Sequence, residues 1–104
     1  VSGMLNRSSE LALTVGQRTA EASLAAFLLE MHRRVTAGDP DRREIFLPMP
    51  RTDVADYLGL TPETISRVFT RFADREIISM HKRRGIRLSE LASLQRLAEG
   101  FPPD

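Results

Sequence analysis

The sequence contains no cysteine and no tryptophan, and only 6% of its residues are aromatic. Without cysteine the chain can form neither a disulfide framework nor a thiolate site, which fits a protein of the reducing cytoplasm. No apolar run approaches the ~20 residues of a membrane span. The N-terminus also lacks the charged and then apolar segments of a signal peptide. We therefore expect neither a disulfide-stapled secreted domain nor a membrane protein, but a protein of the cytoplasm.

The composition that remains is sufficient for one domain. The chain has 104 residues, of which 41% are hydrophobic, and this is enough to fill a single core. Val1 is an unusual natural start, and we expect the chain to be part of a longer protein. No internal repeat or low-complexity tract divides it.

Positive charge is concentrated in one stretch of a nearly neutral chain. Seven cationic and two acidic residues lie between Arg67 and Arg87, a net charge of +5, whereas the whole chain carries +1. A local basic surface of this kind is typical of nucleic-acid binding. Charge alone leaves an ordinary solvated face as an equal alternative.

Hydrophobic periodicity predicts helices at both ends of the chain. Residues 1–15 fit a helix that Gly16 ends, and a second helix with a wide apolar stripe follows from about Thr19 to Val35. At the other end, Ser89 can N-cap a last helix that Gly100 ends.

Shorter elements fill the middle. After a loop at 36–41, Ile45–Leu47 is a strand candidate closed by prolines. Residues 77–80 and 85–88 predict a β-hairpin with a basic tip. Together with the helices, these elements predict a mainly α fold with a small antiparallel β-sheet.

The most informative pattern predicts two short helices, at about 51–58 and 61–75, joined by a tight turn. Gly59 stands where the chain needs a left-handed residue, and Leu60 can plug the turn. Thr61 is a good N-cap, and Pro62 occupies the first helical position, where its missing N–H costs nothing. This spacing is that of a helix-turn-helix.

The second of these helices has two distinct faces. Its apolar residues recur at helical spacing and should face the core: Ile65, Val68, Phe69 and Phe72. The opposite side carries polar residues near the helix N-terminus, where a recognition helix presents side chains to base edges: Glu63, Ser66, Arg67 and Thr70. Two packed helices with a solvated outer face remain the alternative interpretation.

Residues from about Glu10 to Leu97 resemble the C-terminal domain of the CRP/FNR family of bacterial regulators. The stretch Asp53–Arg67, DVADYLGLTPETISR, is similar to the helix-turn-helix of that family, and Leu24–Leu29 and Ile77-Ile78 fit as well. The resemblance implies a winged helix-turn-helix at 16–100, preceded at 1–15 by the end of a dimerisation helix and followed by a tail at 101–104.

Within the family, the set Glu63, Ser66 and Arg67 resembles the FNR branch, whose members read TTGA-type half-sites. One departure is Pro50, where relatives often have a Thr or Ser cap, so a phosphate contact at that position is in doubt. The sensor domain of the family is absent from this chain.

The resemblance and the two-faced helix together predict the DNA contacts. Arg67 should donate two hydrogen bonds to a guanine, Glu63 should accept one from a cytosine amino group, and Ser66 should touch a neighbouring base. Pro62 and Thr70 should lie beside the DNA. We expect the phosphate contacts from six residues: Arg51, Thr61, Arg71, Lys82, Arg83 and Arg84.

The expected partners are double-stranded DNA, a second copy of the chain in the full-length protein and, by resemblance, RNA polymerase at the loop 38–44. No cofactor, metal or enzymatic activity is expected. His32 and His81 are far apart without clustered acids, and Ser66 has no evident histidine partner. The alternative function is a protein-interaction module that keeps the helix-turn-helix shape without reading DNA. Duplex binding with a steep salt dependence would discriminate between the two.

Overall fold

The structure is a computed structural model, and it describes the backbone of residues 5–35, 39, 41–81 and 85–101 and their side chains from position 20 onward. These residues form four helices and three strands. In chain order the elements are α1 (Leu5–Val35), β1 (Glu44–Phe46), α2 (Arg51–Leu58), α3 (Pro62–Asp74), β2 (Ile78–Met80), β3 (Gly85–Leu88) and α4 (Leu91–Ala98). The predicted mainly α fold with a small antiparallel sheet is confirmed.

The three strands form one antiparallel sheet in the order β1-β3-β2. The predicted hairpin is confirmed by the pairing of β2 with β3, in which Met80 lies opposite Ile86. On the other side of β3, Ile45 of β1 also lies opposite Ile86. The hairpin of β2 and β3 is the wing of the predicted fold. The first strand, which the sequence leaves without a partner, completes its sheet and begins one residue earlier than predicted.

The tight turn between α2 and α3 has the predicted geometry. Gly59 takes a φ of 74°, in the left-handed region, and the Leu60 N–H donates to the Ala55 carbonyl at 2.8 Å. The Thr61 side chain then accepts a hydrogen bond from the Thr64 N–H at 3.1 Å, and Pro62 opens α3. The helix-turn-helix is thus built by a left-handed glycine and a capped second helix.

The core lies where α1, α3, α4 and the sheet meet. Phe69 and Phe72 of α3 are completely buried, and α1 contributes Leu24 and Leu28. The remaining core includes Ile45 of β1, Val54 and Ala55 of α2, Ile78, Ile86 and Leu88 of the hairpin, and Leu94 and Leu97 of α4. Because Ala55 is small and fully buried, α2 and α3 can cross closely.

Two predicted helix boundaries are wrong. The expected stop at Gly16 and restart near Thr19 do not occur, since α1 is continuous from Leu5 to Val35. A glycine inside a helix costs only about 1 kcal/mol relative to alanine, and good helix formers such as Leu13 and Ala20 stand on both sides of it. The division at residue 15 between a dimerisation helix and the DNA-binding domain stays a prediction.

The second wrong boundary is the N-cap of α4. The helix begins at Leu91 behind Glu90, without a side-chain cap, so Ser89 is not the cap. Instead, the N–H groups of Ser89 and Glu90 both donate to the Ile77 carbonyl, at 3.0 and 3.1 Å. These bonds tie the segment before α4 to Ile77, at the start of the hairpin. No helix in the described part of the chain is long and apolar enough to cross a membrane.

Candidate nucleic-acid interface

The two predicted faces of α3 are present in the structure. Buried side chains form its inner face: Ile65, Val68, Phe69 and Phe72. Exposed side chains form its outer face: Pro62, Glu63, Ser66, Arg67 and Thr70. The core fixes the helix by its apolar side, so the polar side is presented on a rigid element.

The N-terminal end of α3 is held by its own cap. Besides accepting from the Thr64 N–H, the Thr61 hydroxyl donates to Thr64 Oγ1 at 2.9 Å. The hydroxyl of Thr61 is therefore engaged in capping the helix. Glu63 stands in the first turn, where a carboxylate suits the helix dipole.

Arg67 lies in the middle of the outer face with its side chain accessible. Among the described residues it has no hydrogen-bond or ion-pair partner, although Glu63 lies one turn before it. A shallow groove of about 360 Å³ runs beside it, lined by Ser66, Arg67, Thr70, Arg71 and Asp74. A planar guanidinium in this position can approach the edge of a base that enters from outside.

Arg71 lies one turn further along α3 and is held from the inside. Its Nη1 donates to the carboxylate of Glu21 on α1. The Glu21 side chain is only 6% exposed, whereas that of Arg71 is 30% exposed. The predicted phosphate contact of Arg71 would therefore come from a side chain that is already anchored to α1.

Arg51 is also tied to its surroundings. Its guanidinium lies 4.4 Å from the ring centre of Phe69, and one of its N–H groups points at the Met80 sulfur at 3.8 Å. Burial lowers the pKa of Arg51 below its usual value. Because it bridges the start of α2, the core of α3 and strand β2, Arg51 braces the wing against the helix-turn-helix.

Helix α2 begins without a hydrogen bond from a capping side chain. Pro50 is its N-cap and offers no side-chain hydrogen bond. Only its carbonyl takes part, accepting from the N–H groups of Asp53 and Val54 at 3.0 and 3.1 Å. Proline at position 50 therefore still allows α2 to begin at Arg51, but it supplies no hydroxyl there.

The basic tip of the wing, Lys82, Arg83 and Arg84, lies outside the described residues. The backbone on either side closes the hairpin, because the His81 N–H donates to the Gly85 carbonyl at 2.9 Å. On the outer face of the sheet, Arg87 pairs with Glu44 at 3.7 Å. The three phosphate contacts expected at the tip stay predictions.

The sequence interpretation overlooked Glu21. This residue falls on the same face of α1 as Leu24, Ala25 and Leu28, all of which are buried. An acidic residue in an apolar stripe is a signal that could have been used, since a buried carboxylate requires a partner. The pattern does not say which cation supplies that partner, because Arg71 is 50 positions away in the chain.

Other polar side chains in the described part of the chain form no metal site. No group of three or more His, Asp or Glu residues there could hold an ion. His32 is buried on α1 and its Nε2 lies 2.6 Å from the Arg42 carbonyl oxygen. Its ring therefore helps to dock the segment before β1 onto α1.

Residues 22–97 match the family model of the Crp-like helix-turn-helix domain, which covers most of the chain and all of the helix-turn-helix and wing. The chain belongs to the CRP/FNR family. Within this family it is a DNA-binding helix-turn-helix domain of a transcription regulator. The members are regulators and not enzymes, and membership favours DNA binding over the protein-interaction alternative.

Named relatives of this CRP/FNR domain come from several bacteria. The transcriptional regulatory protein btr of Bordetella pertussis is 39% identical over 97 residues, which are 93% of this chain and 40% of that protein. The fumarate and nitrate reduction regulatory protein of Vibrio cholerae is 39% identical over 98 residues, which are 94% of this chain and 39% of that protein. The chain thus spans about two fifths of the length of these relatives.

A solved structure shares the fold. FixK2 from Bradyrhizobium japonicum superposes with a TM-score of 0.66 at 35% identity, over 99% of this chain and 48% of that one. The continuous α1 is therefore part of the matched region of the CRP/FNR domain.

Proposed function

We propose that the chain reads TTGA-type half-sites in duplex DNA through the outer face of α3, as one half of a two-fold dimer. The observation that supports this proposal most directly is the two-faced α3. Its inner residues are buried, while Glu63, Ser66 and Arg67 are exposed near its N-terminus. That placement is the one a recognition helix needs to reach base edges in the major groove.

Each base-reading residue has its own expected role. Arg67 donates two hydrogen bonds to guanine O6 and N7, for which its planar fork is suited. Glu63 accepts from a cytosine amino group, and Ser66 touches a neighbouring base. Pro62 and Thr70 flank these residues on the same exposed side of α3.

The remaining cations supply affinity and not sequence preference. Arg71, on α3, is anchored to Glu21 of α1, and Arg51 is anchored on the ring of Phe69. Each therefore presents a fixed charge on or next to α3. Thr61 at the head of α3 and the wing tip at 82–84 complete the proposed phosphate contacts. Contacts of this kind make binding salt-dependent.

Beyond this chain's own surface, we propose that the full-length protein is a homodimer joined through the helix to which α1 belongs. The loop 38–44 is the proposed contact with RNA polymerase, and it carries the exposed Asp39 and Asp41. The site of action is the nucleoid in the bacterial cytoplasm. No cofactor is assigned to this chain.

The proposal can be tested with two copies of the chain joined by a flexible linker, which supplies the pairing of half-sites. The tethered protein should bind a duplex with two inverted TTGA half-sites one helical turn apart roughly 10³-fold more tightly than a scrambled duplex at the same salt concentration. Moving the half-sites by half a turn should remove most of the gain, because both α3 helices could no longer enter the groove from one side. Equal binding to all three duplexes would contradict the half-site assignment, and no duplex binding at all would contradict the function.

A further inference from the structure

Glu21 and Arg71 form the ion pair that joins α1 to α3 in the described part of the chain. The Glu21 carboxylate lies among apolar neighbours of the same helix face, such as Leu24 and Leu28. Removing a carboxylate from water is costly unless a cation and hydrogen bonds compensate it. Arg71 supplies both, since its Nη1 donates to Glu21 Oε2.

Arg71 stands at the border between the inner and the outer face of α3. It follows Arg67 by one helical turn and lines the same groove as Ser66 and Thr70. Its side chain is 30% exposed, and a guanidinium keeps further N–H donors when one is used. Glu21 therefore holds Arg71 on one side while the other side remains open toward the outer face.

We propose that Glu21 is a positioning residue of the DNA interface, which holds the Arg71 guanidinium in place to meet a backbone phosphate. The inference rests on the proposed DNA-binding function. A free arginine side chain loses rotamer freedom when it is fixed on a ligand. The ion pair with Glu21 fixes Arg71 before DNA arrives, so less freedom is lost on binding.

The effect of charge alone and a positioning role predict opposite changes in DNA affinity when Glu21 is neutralised. DNA is a polyanion, so a carboxylate near it is repulsive, and on charge alone neutralising Glu21 should strengthen binding. Positioning predicts weaker binding, since Arg71 would remain charged but lose its anchor. Whether binding becomes stronger or weaker therefore distinguishes the charge effect from the positioning role.

The test compares Glu21→Gln with Glu99→Gln in the tethered protein. Glutamine keeps the size of Glu21 and removes its charge, and Glu99 is an exposed acid at the end of α4 that serves as a charge-matched control. In titrations with the TTGA duplex at several salt concentrations, Glu21→Gln should weaken binding by about 3- to 10-fold per copy. It should also lower the log–log salt slope by up to about one unit per copy. Glu99→Gln should bind as the parent or slightly more tightly.

Thermal melts of the same variants establish whether each is folded at the titration temperature. A folded Glu21→Gln that binds equally or more tightly with an unchanged slope would overturn the proposal. If Glu21→Gln does not fold, Glu21→Asp keeps the charge of the carboxylate and of Arg71 but shortens the side chain that anchors Arg71. This variant should also bind more weakly than the parent, and parental binding by it would overturn the proposal.

DNA binding by the unaltered protein distinguishes a failure of the proposed function from a failure of the positioning role of Glu21. If the unaltered tethered chain fails to bind duplex DNA, the proposed function itself is wrong. If the parent binds and the Glu21 variants bind equally well, only the positioning role of Glu21 is wrong.

Discussion

Gly59 is the residue on which the angle between α2 and α3 depends. Its φ of 74° lies in the region that side chains with a Cβ rarely adopt, and it ends α2 by donating to the carbonyls of Ala55 and Asp56. An added Cβ would meet nothing within 4 Å. The requirement for glycine therefore comes from the backbone conformation and not from crowding.

From this conformation we predict that Gly59→Val destabilises the fold by about 1–2 kcal/mol, the cost of a left-handed backbone for a β-branched residue. Gly59→Asn is the matched control, because asparagine tolerates this region and should cost clearly less. Thermal or urea unfolding measures both. Equal stability of Gly59→Val and the parent would show that the turn is not needed in this form.

Burial also decides which aromatic residues matter for stability. Phe72 of α3 is 0% exposed and Tyr57 of α2 is 72% exposed. Phe72→Ala should lower the free energy of unfolding by ~3–5 kcal/mol, since it opens a cavity beneath α3. Tyr57→Ala should cost less than ~1 kcal/mol, because it removes only a partial ring packing against Phe27, whose centroid is 5.7 Å away. Denaturant titrations of the two variants would contradict this account if the two destabilisations were similar.

Among the elements, the helix-turn-helix could be predicted closely from the sequence and the ends of the fold less well. Helices α2 and α3 carry local signals, namely a left-handed glycine, an N-cap threonine and an apolar repeat, and these signals act within a few residues. Gly16 carries an equally local signal for a helix end, yet α1 continues through it. A cost of about 1 kcal/mol is too small to end a helix of 31 residues.

Contacts between elements were harder to predict because they depend on distant residues. The pairing of β1 with β3 joins Glu44 to Arg87, and the ion pair of Glu21 joins α1 to α3. Ser89 is a good cap by residue type, but its N–H and that of Glu90 are drawn to the Ile77 carbonyl, which shifts the start of α4. In the candidate site, the exposed face of α3 was predictable from periodicity, whereas the anchoring of Arg51 on Phe69 was not.

The wing is the element whose contribution is expected to be independent of DNA sequence. Replacing Lys82, Arg83 and Arg84 together by alanine should weaken binding to TTGA and scrambled duplexes by about the same factor. The log–log salt slope should fall by roughly one unit for each phosphate that the wing no longer neutralises. As a control, alanine at Arg33, Arg34 and Arg96 removes three exposed cations outside the predicted interface. An unchanged slope in the wing variant, or an equal change in the control, would mean that the wing does not contact DNA.

At the scale of the whole molecule, the fold combines residues expected to read the DNA sequence with cations expected to bind any DNA. The core holds α3 by its buried side, the Phe69 ring holds the Arg51 guanidinium, and Glu21 holds that of Arg71. Membership of the CRP/FNR family identifies a DNA-binding domain, and we propose that the exposed side of α3 and these cations contact the DNA. Sequence preference should then come from the few residues on the outer face of α3, and affinity from the cations around them.

Arg67 provides the most direct test of this division. The measurement is a titration of the tethered parent protein and its Arg67→Ala variant, at one salt concentration, against duplexes that carry each of the four base pairs at the guanine position of TTGA. We predict that the parent prefers guanine and that Arg67→Ala loses ~1–3 kcal/mol per half-site on that duplex. The variant should bind all four duplexes about equally while keeping nearly the parental stability, because Arg67 is exposed and unpaired among the described residues. If the parent and the variant rank the four duplexes in the same order with the same spacing, Arg67 does not read the guanine and the account of α3 as the base-reading helix is contradicted.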